Sequence, residues 1–150
     1  MRPKMPRLAA RAVIVADNSL LLVNAYGGGV SQLWCAPGGG VESGSSLPDN
    51  LAREVFEECG LSVEIGAPCL INEFHDPARG FHQVEIFFRA EITTGQISDA
   101  WQDPEAVVTT RRFFSPSELE SLHLRPRSLP EVAFSQADAV KYDPLERIVI

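Results

Sequence analysis

The stretch Leu47–Cys59 constrains the fold more than any other part of the chain. Leu47, Leu51, Val55 and Cys59 recur every four residues. That spacing is the stripe of an amphipathic helix, which must lie against an apolar partner. Both ends are marked. Ser46 offers an N-cap hydroxyl, Pro48 fits a first turn that lacks hydrogen bonds anyway, and Asp49 brings a carboxylate to the positive end of the helix. Gly60 supplies the left-handed stop.

Strands flank this helix. Ala12–Ala16 and Leu20–Asn24 are apolar runs separated by the turn residues Asp17, Asn18 and Ser19, which predicts a hairpin. Leu33–Ala36 is a short run ended by Pro37 and three glycines. Downstream, strands are expected at Ser62–Ile65 and Cys69–Phe74, with a loop over His75–Gly80. From Phe81 to Ile92 the residues alternate, with Val84, Ile86, Phe88 and Ala90 on one face and Glu85, Phe87, Arg89 and Glu91 on the other. Arg111–Phe114 reads as a further strand. Ser115-Pro116 opens a second helix, and a third starts near Ser128. The pattern is α/β with much antiparallel pairing and one principal helix. A length of 150 residues fits a single domain, 1–150.

Charge is concentrated before and within the helix. The chain carries a net charge of −7. Between Gly38 and Leu61, Glu42, Asp49, Glu54, Glu57 and Glu58 face a single cation, Arg53. Glu54, Glu57 and Glu58 share one helical face, where like charges repel by a few tenths of a kcal/mol per pair. A hard divalent cation offsets that repulsion. Mg²⁺ takes carboxylate oxygens together with substrate phosphates, and the glycines of Pro37–Gly40 let backbone approach a ligand closely. These residues point to metal-assisted phosphate chemistry.

The same segment resembles the Nudix box, G-x5-E-x7-R-E-U-x-E-E-x-G-U, with U a bulky aliphatic residue. Gly39 stands at its opening, Arg53-Glu54-Val55 at R-E-U, Glu57-Glu58 at the paired glutamates and Gly60-Leu61 at its end. Ser45 replaces the first glutamate and is the one departure. The resemblance covers Gly39–Leu61, and the lead-in Trp34-x-x-Pro37-Gly38-Gly39 extends it. It implies the Nudix α/β/α sandwich with a mixed sheet. It also implies hydrolysis of a nucleoside diphosphate linked to another group, with Mg²⁺ or Mn²⁺ as cofactor. Glu54, Glu57 and Glu58 carry over as metal ligands, with a backbone carbonyl of Gly38 or Gly39 beside them. Arg53 becomes the residue that orients Glu57 or a neighbouring carboxylate. The general base varies in this family, so Glu54 and Glu85 are both candidates, with Glu105 and Glu118 behind them. Serine at 45 supplies no charge, and Glu42 or Asp49 are the residues positioned to compensate. A nucleotide-sensing module with little turnover is the alternative. The resemblance also makes a homodimer an expectation.

Other residues have two readings each. Trp34, Phe74 and Phe81 can stack on a nucleobase or pack in the core, and His82 can line a substrate cleft. The basic group Arg111, Arg112, Arg125 and Arg127 can meet phosphate or solvent. Two lysines in an acidic chain argue against general nucleic-acid binding. No apolar run is long enough to span a membrane, and the basic opening has no apolar stretch after it, so a cytoplasmic location is expected. Cys35, Cys59 and Cys69 lack metal-site spacing. No P-loop, G-x-S-x-G or H-E-x-x-H motif occurs.

Overall fold

The computed structural model describes residues 4–150. Strand β1 (Arg7–Ala16) turns through Asp17 and Asn18, both at positive φ, into β2 (Ser19–Asn24). Asp and Asn tolerate that backbone, and its twist suits a two-residue hairpin. Two short strands follow, β3 (Trp34–Cys35) and β4 (Gly38–Gly40), and then helix α1 (Leu47–Cys59). Strands β5 (Ser62–Asp76) and β6 (Phe81–Thr94) form a long antiparallel pair joined by one 3-10 turn. After β7 (Arg111–Phe114) come α2 (Pro116–Leu119), α3 (Leu129–Phe134) and β8 (Lys141–Arg147).

The eight strands make one mixed sheet, with the path β3-β2-β1-β6-β5-β8, β4 pairing β1 and β7 pairing β2. Strand β1 organises it. β1 runs parallel to β6 along Arg7–Ile14 and takes β4 antiparallel along Ala9–Arg11. It meets β2 only at Val15 and Ala16. Thus β4 and β2 splay from one central strand, and the gap between them opens beside Arg11.

Each face of the sheet carries its own core. Ala10, Ala12, Ile14, Leu21, Val23, Phe88 and Ala90 pack under Leu51, Val55 and Cys59 of α1. Val13, Leu20, Leu22, Leu70 and Phe87 pack with Leu119 and Leu129 on the other side. The result is the expected α/β/α arrangement. Alternation along β6 holds, with Ile86 and Phe88 toward α1 and Phe87 toward the opposite core.

Helix α1 has the predicted bounds and caps. Ser46 Oγ accepts from the Asp49 N–H at 3.1 Å, and Gly60 sits at φ 71°. Four elements differ from expectation. Strand β1 begins at Arg7, ahead of the expected Ala12, because β6 and β4 pair with its first half. The glycines of β4 form a strand because the β1 backbone supplies their partners. Gly38, at φ 144°, lies so close to Ala10 that a Cβ would stand 2.1 Å from its carbonyl oxygen. The two strands expected at 62–65 and 69–74 are one, because register shifts near Pro68 absorb the irregularity without ending the ladder. It also runs on through His75 and Asp76. Strand β8 is a polar edge with no alternation, and it forms through parallel pairing with β5.

Candidate active site

Two adjoining cavities open beside β1. They share Arg7, Arg11, Ala25 and Cys35 as a common wall. The first, of about 530 Å³, lies between β4 and α1 and is lined by Gly38, Gly39, Glu42, Glu54, Glu58, Asp103 and Glu105 among others. The second, of about 210 Å³, lies on the far side of Arg11, and its walls include Tyr26, Asn72, Phe74, Phe81, Gln83 and Glu85.

Helix α1 brings Glu54 and Glu58 to the acidic cavity and is clamped at both ends. Asn50, 1% exposed, donates to the Gly40 carbonyl at 3.2 Å and accepts from the Glu42 N–H at 3.2 Å, which ties the glycine strand to the first turn. At the other end Trp101 Nε1 donates to the Glu57 carbonyl at 2.8 Å, and Arg111 Nε donates to that of Glu58. A cation on the last carbonyls also complements the helix dipole. The turn bearing Glu57 and Glu58 therefore has its backbone fixed from outside the helix.

The three glutamates of the helix face have different surroundings. Glu58 is 5% exposed, and both carboxylate oxygens accept from the Gly38 N–H at 3.2 Å. Burial pushes its carboxyl up to about 8, against the pull of Arg11 and that N–H. Glu54 lies against Gly39, where a Cβ would come 3.1 Å from the carboxylate. Burial also raises the Glu54 carboxyl, Arg53 opposes this, and Glu105 adds to it. Glu57 turns to Arg53, whose Nη1 reaches both of its oxygens at 3.1 Å. Arg53 also contacts Glu54 at 3.3 Å and Glu42 at 3.6 Å. Ser45 is exposed and its Oγ turns to the Ser46 carbonyl. Of the two compensating candidates, Glu42 is the one that meets Arg53.

The remaining sequence candidates divide. Gly38 and Gly39 line the acidic cavity, and the Gly38 carbonyl accepts from Arg11 Nη1 at 3.1 Å. Glu85 points into the other cavity, where Arg11 Nε binds it at 2.7 Å and Gln83 at 3.0 Å. Burial works against the Arg11 charge, but Glu85, Cys35 and Glu58 outweigh it and hold Arg11 above its ordinary range. Trp34 stacks edge-on against Phe114 at 4.9 Å and lines neither cavity. His82 pairs with Glu73 at 3.0 Å, also outside both. Glu118 caps α2 and binds Arg112. Residues the sequence did not single out include Arg7, Arg11 and Asn50. Asp103 accepts from the Glu105, Val107 and Val108 N–H groups and so holds the loop that brings Glu105 to the cavity. Two members of the basic group prove to be placed at the cleft: Arg111 is buried at α1 and Arg125 lines the second cavity.

Among the described residues no three acidic, histidine or cysteine side chains converge in a ready metal cluster. The donor set nevertheless suits a hard divalent ion. Half-buried Glu54 and buried Glu58 line one cavity against glycine backbone, and Glu58 takes its hydrogen bond from the Gly38 N–H, not from a cation. No helix among the described residues is long and apolar enough to cross a membrane.

The chain is similar to known proteins in sequence and in fold. The sequence model of the NUDIX domain matches residues 5–133. An ADP-ribose pyrophosphatase of Methanocaldococcus jannaschii is 25% identical over 91% of this chain and 72% of its own length. Diphosphoinositol polyphosphate phosphohydrolase 3-beta of Bos taurus is 28% identical over 54% of this chain. The matched stretch spans 46% of that relative and 44% of one from Bacillus subtilis, less than half of each. Among solved structures, a MutT NUDIX hydrolase from Burkholderia pseudomallei superposes with a TM-score of 0.73 at 23% identity, covering 86% of this chain and 98% of that one. A UDP-X diphosphatase gives 0.70 at 21% identity over 97% of this chain and 70% of that one. With the family model spanning most of the sequence and the shared fold behind it, the chain belongs to the NUDIX domain family.

Proposed function

We propose that this chain hydrolyses a pyrophosphate linkage in a nucleoside diphosphate derivative, using Mg²⁺ or Mn²⁺ held by α1. One observation carries the reading: half-buried Glu54 and buried Glu58 lie against Gly38 and Gly39 in a single cavity, and among the described residues the hydrogen bond to Glu58 comes from a backbone N–H alone. A carboxylate in that position favours a proton or an added cation. Glu54, Glu57 and Glu58 would hold the ion. When bound, it supplies positive charge for the phosphoryl oxygens and lowers the pKa of a coordinated water.

The chain's own residues do the rest. Arg53 restrains Glu57 through two contacts and spans Glu54 and Glu42, so one guanidinium sets the direction of three carboxylates. Gly39 leaves room beside Glu54 for a phosphate oxygen to approach. Glu105 lines the same cavity, and its charge reaches Glu54, so this pair is suited to take the proton of the attacking water. Glu85 is less suited, because Arg11 and Gln83 already occupy it.

A phosphate-release assay with a coupled phosphatase tests the reading on nucleotide sugars, dinucleotides and ADP-ribose. We expect turnover that disappears in EDTA and returns with Mg²⁺ or Mn²⁺. Glu57→Gln lowers kcat by at least about 100-fold, the upper range for groups that support a metal site. Binding of nucleotides with no turnover at any cation concentration contradicts the proposal. That outcome favours the sensing module, a reading kept open by the uncharged Ser45.

A further inference from the structure

We propose that Asn50 is a positioning residue of the acidic cavity, its side-chain amide holding the Arg53 guanidinium in place of the carboxylate missing at position 45. This rests on the metal-dependent hydrolase reading, because the carboxylates that Arg53 aims are those assigned to the ion.

Asn50 closes the first turn of α1 and is 1% exposed, beside the fully buried Leu51. Asparagine forms helix poorly, and a buried amide is costly unless its hydrogen bonds are made. Here they are made, and the two ends of the amide do different things. Nδ2 donates to the Gly40 carbonyl at 3.2 Å, which ties β4 to the helix. Oδ1 accepts from the Glu42 N–H and from Arg53 Nη2, each at 3.2 Å. Arg53 lies three residues on, the spacing that sets both side chains on one helical face.

The guanidinium is fully engaged. Nη1 serves Glu57. Nη2 carries two N–H groups, which go to Asn50 Oδ1 and, at 3.3 Å, to Glu54 Oε1. Glu42 stands 3.6 Å from Nη2, beyond a hydrogen bond, and its side chain is 73% exposed. An ion pair that open to water is weak and poorly directed. A buried acceptor that meets a cation makes a stronger bond, and the direction of this one is set because the amide is pinned to Gly40 and Glu42 as well. Glu42 thus adds charge near Arg53, whereas Asn50 fixes where it points.

Position 45 opens onto the same network. The Ser45 N–H donates to the Glu42 carbonyl at 3.4 Å, and the Glu42 N–H donates to Asn50, so the turn bearing Ser45 is tied to Asn50. A carboxylate on that turn and an amide at position 50 are two ways to hold one guanidinium. This chain has the second.

The test is a double-mutant cycle on positions 45 and 50. It is read as Mn²⁺ affinity by electron paramagnetic resonance and as the unfolding midpoint in EDTA. Asn50→Ala should weaken Mn²⁺ binding by about 10- to 100-fold, the usual loss for a group supporting a metal site. It should also lower the midpoint, since the bond to Gly40 goes with it. Adding Ser45→Glu to Asn50→Ala should recover about tenfold or more of the affinity and leave the midpoint low, which a clamp on β4 alone would not produce. In the wild type, Ser45→Glu should gain less than about tenfold, because Arg53 is already held. Ser45 is exposed, so this arm stands even if Asn50→Ala fails to fold. A larger gain in the wild type overturns the proposal, as does a gain from Ser45→Glu that is equal in both backgrounds. The two readings fail separately. Mn²⁺ binding that Asn50→Ala leaves unchanged removes this role and keeps the hydrolase, whereas a wild type that binds no Mn²⁺ removes both.

Discussion

Glu58 and Glu85 are both buried glutamates on either side of Arg11, and the protein treats them in opposite ways. Glu85 has an internal cation at 2.7 Å and an amide at 3.0 Å. Glu58 has one backbone N–H. A buried charge with its partner built in belongs to the scaffold. One without a partner is a site that takes its charge from outside. The contrast separates a wall from a working surface within one shared cleft.

The largest effect should come from breaking the built-in pair. Glu85→Ala leaves Arg11 uncompensated in the interior and should destabilise the fold by about 3–5 kcal/mol in urea unfolding. Glu58→Gln should cost little or nothing in metal-free protein near pH 8, while abolishing turnover. Equal destabilisation by both would erase the contrast.

The pH dependence sharpens it. Glu58 is raised to about 8 in the folded chain from 4.5, so the native state holds its proton more tightly than the unfolded state. Below 4.5 both states are protonated and nothing is lost. As pH climbs from there toward 8, the unfolded carboxyl ionises first and stability falls, by on the order of a few kcal/mol. In EDTA the wild type should therefore lose stability relative to Glu58→Gln across this window. Identical pH profiles would show that Glu58 is not held neutral.

A smaller change is expected at the box's departure from its family pattern. Ser45→Glu adds a carboxylate near the Arg53 network that now draws on Glu42. It should tighten Mn²⁺ affinity by up to about tenfold, the low end for a supporting group. The least effect should come from Trp101→Phe, which removes one hydrogen bond to the Glu57 carbonyl and should cost about 1 kcal/mol.

The parts legible in the sequence are those that local chemistry decides. Helix α1 has its stripe, its Ser46 cap and its Gly60 stop within one short segment, and the acidic face comes with it. The strands of Gly38–Gly40 and Lys141–Arg147 were not legible, because their only warrant is a backbone partner far along the chain. The shared cleft escaped for the same reason. Arg7 and Arg11 lie ahead of the strand expected at Ala12–Ala16, and only the parallel register of β1 with β6 sets Arg7 beside Gln83 and Arg11 near Glu85. His82 and Trp34 show the reverse, chemically capable residues that alternation and packing carry away from the cleft.

Proton release on metal binding tests the central claim most directly. Mn²⁺ titrated into the wild type at pH 7, in buffers of differing ionisation enthalpy, should displace about one proton per ion as Glu58 ionises, and Glu58→Gln should bind more weakly and release none. Metal uptake without proton release, or equal release from both proteins, would contradict the assignment of Glu58 as the carboxylate waiting for a cation.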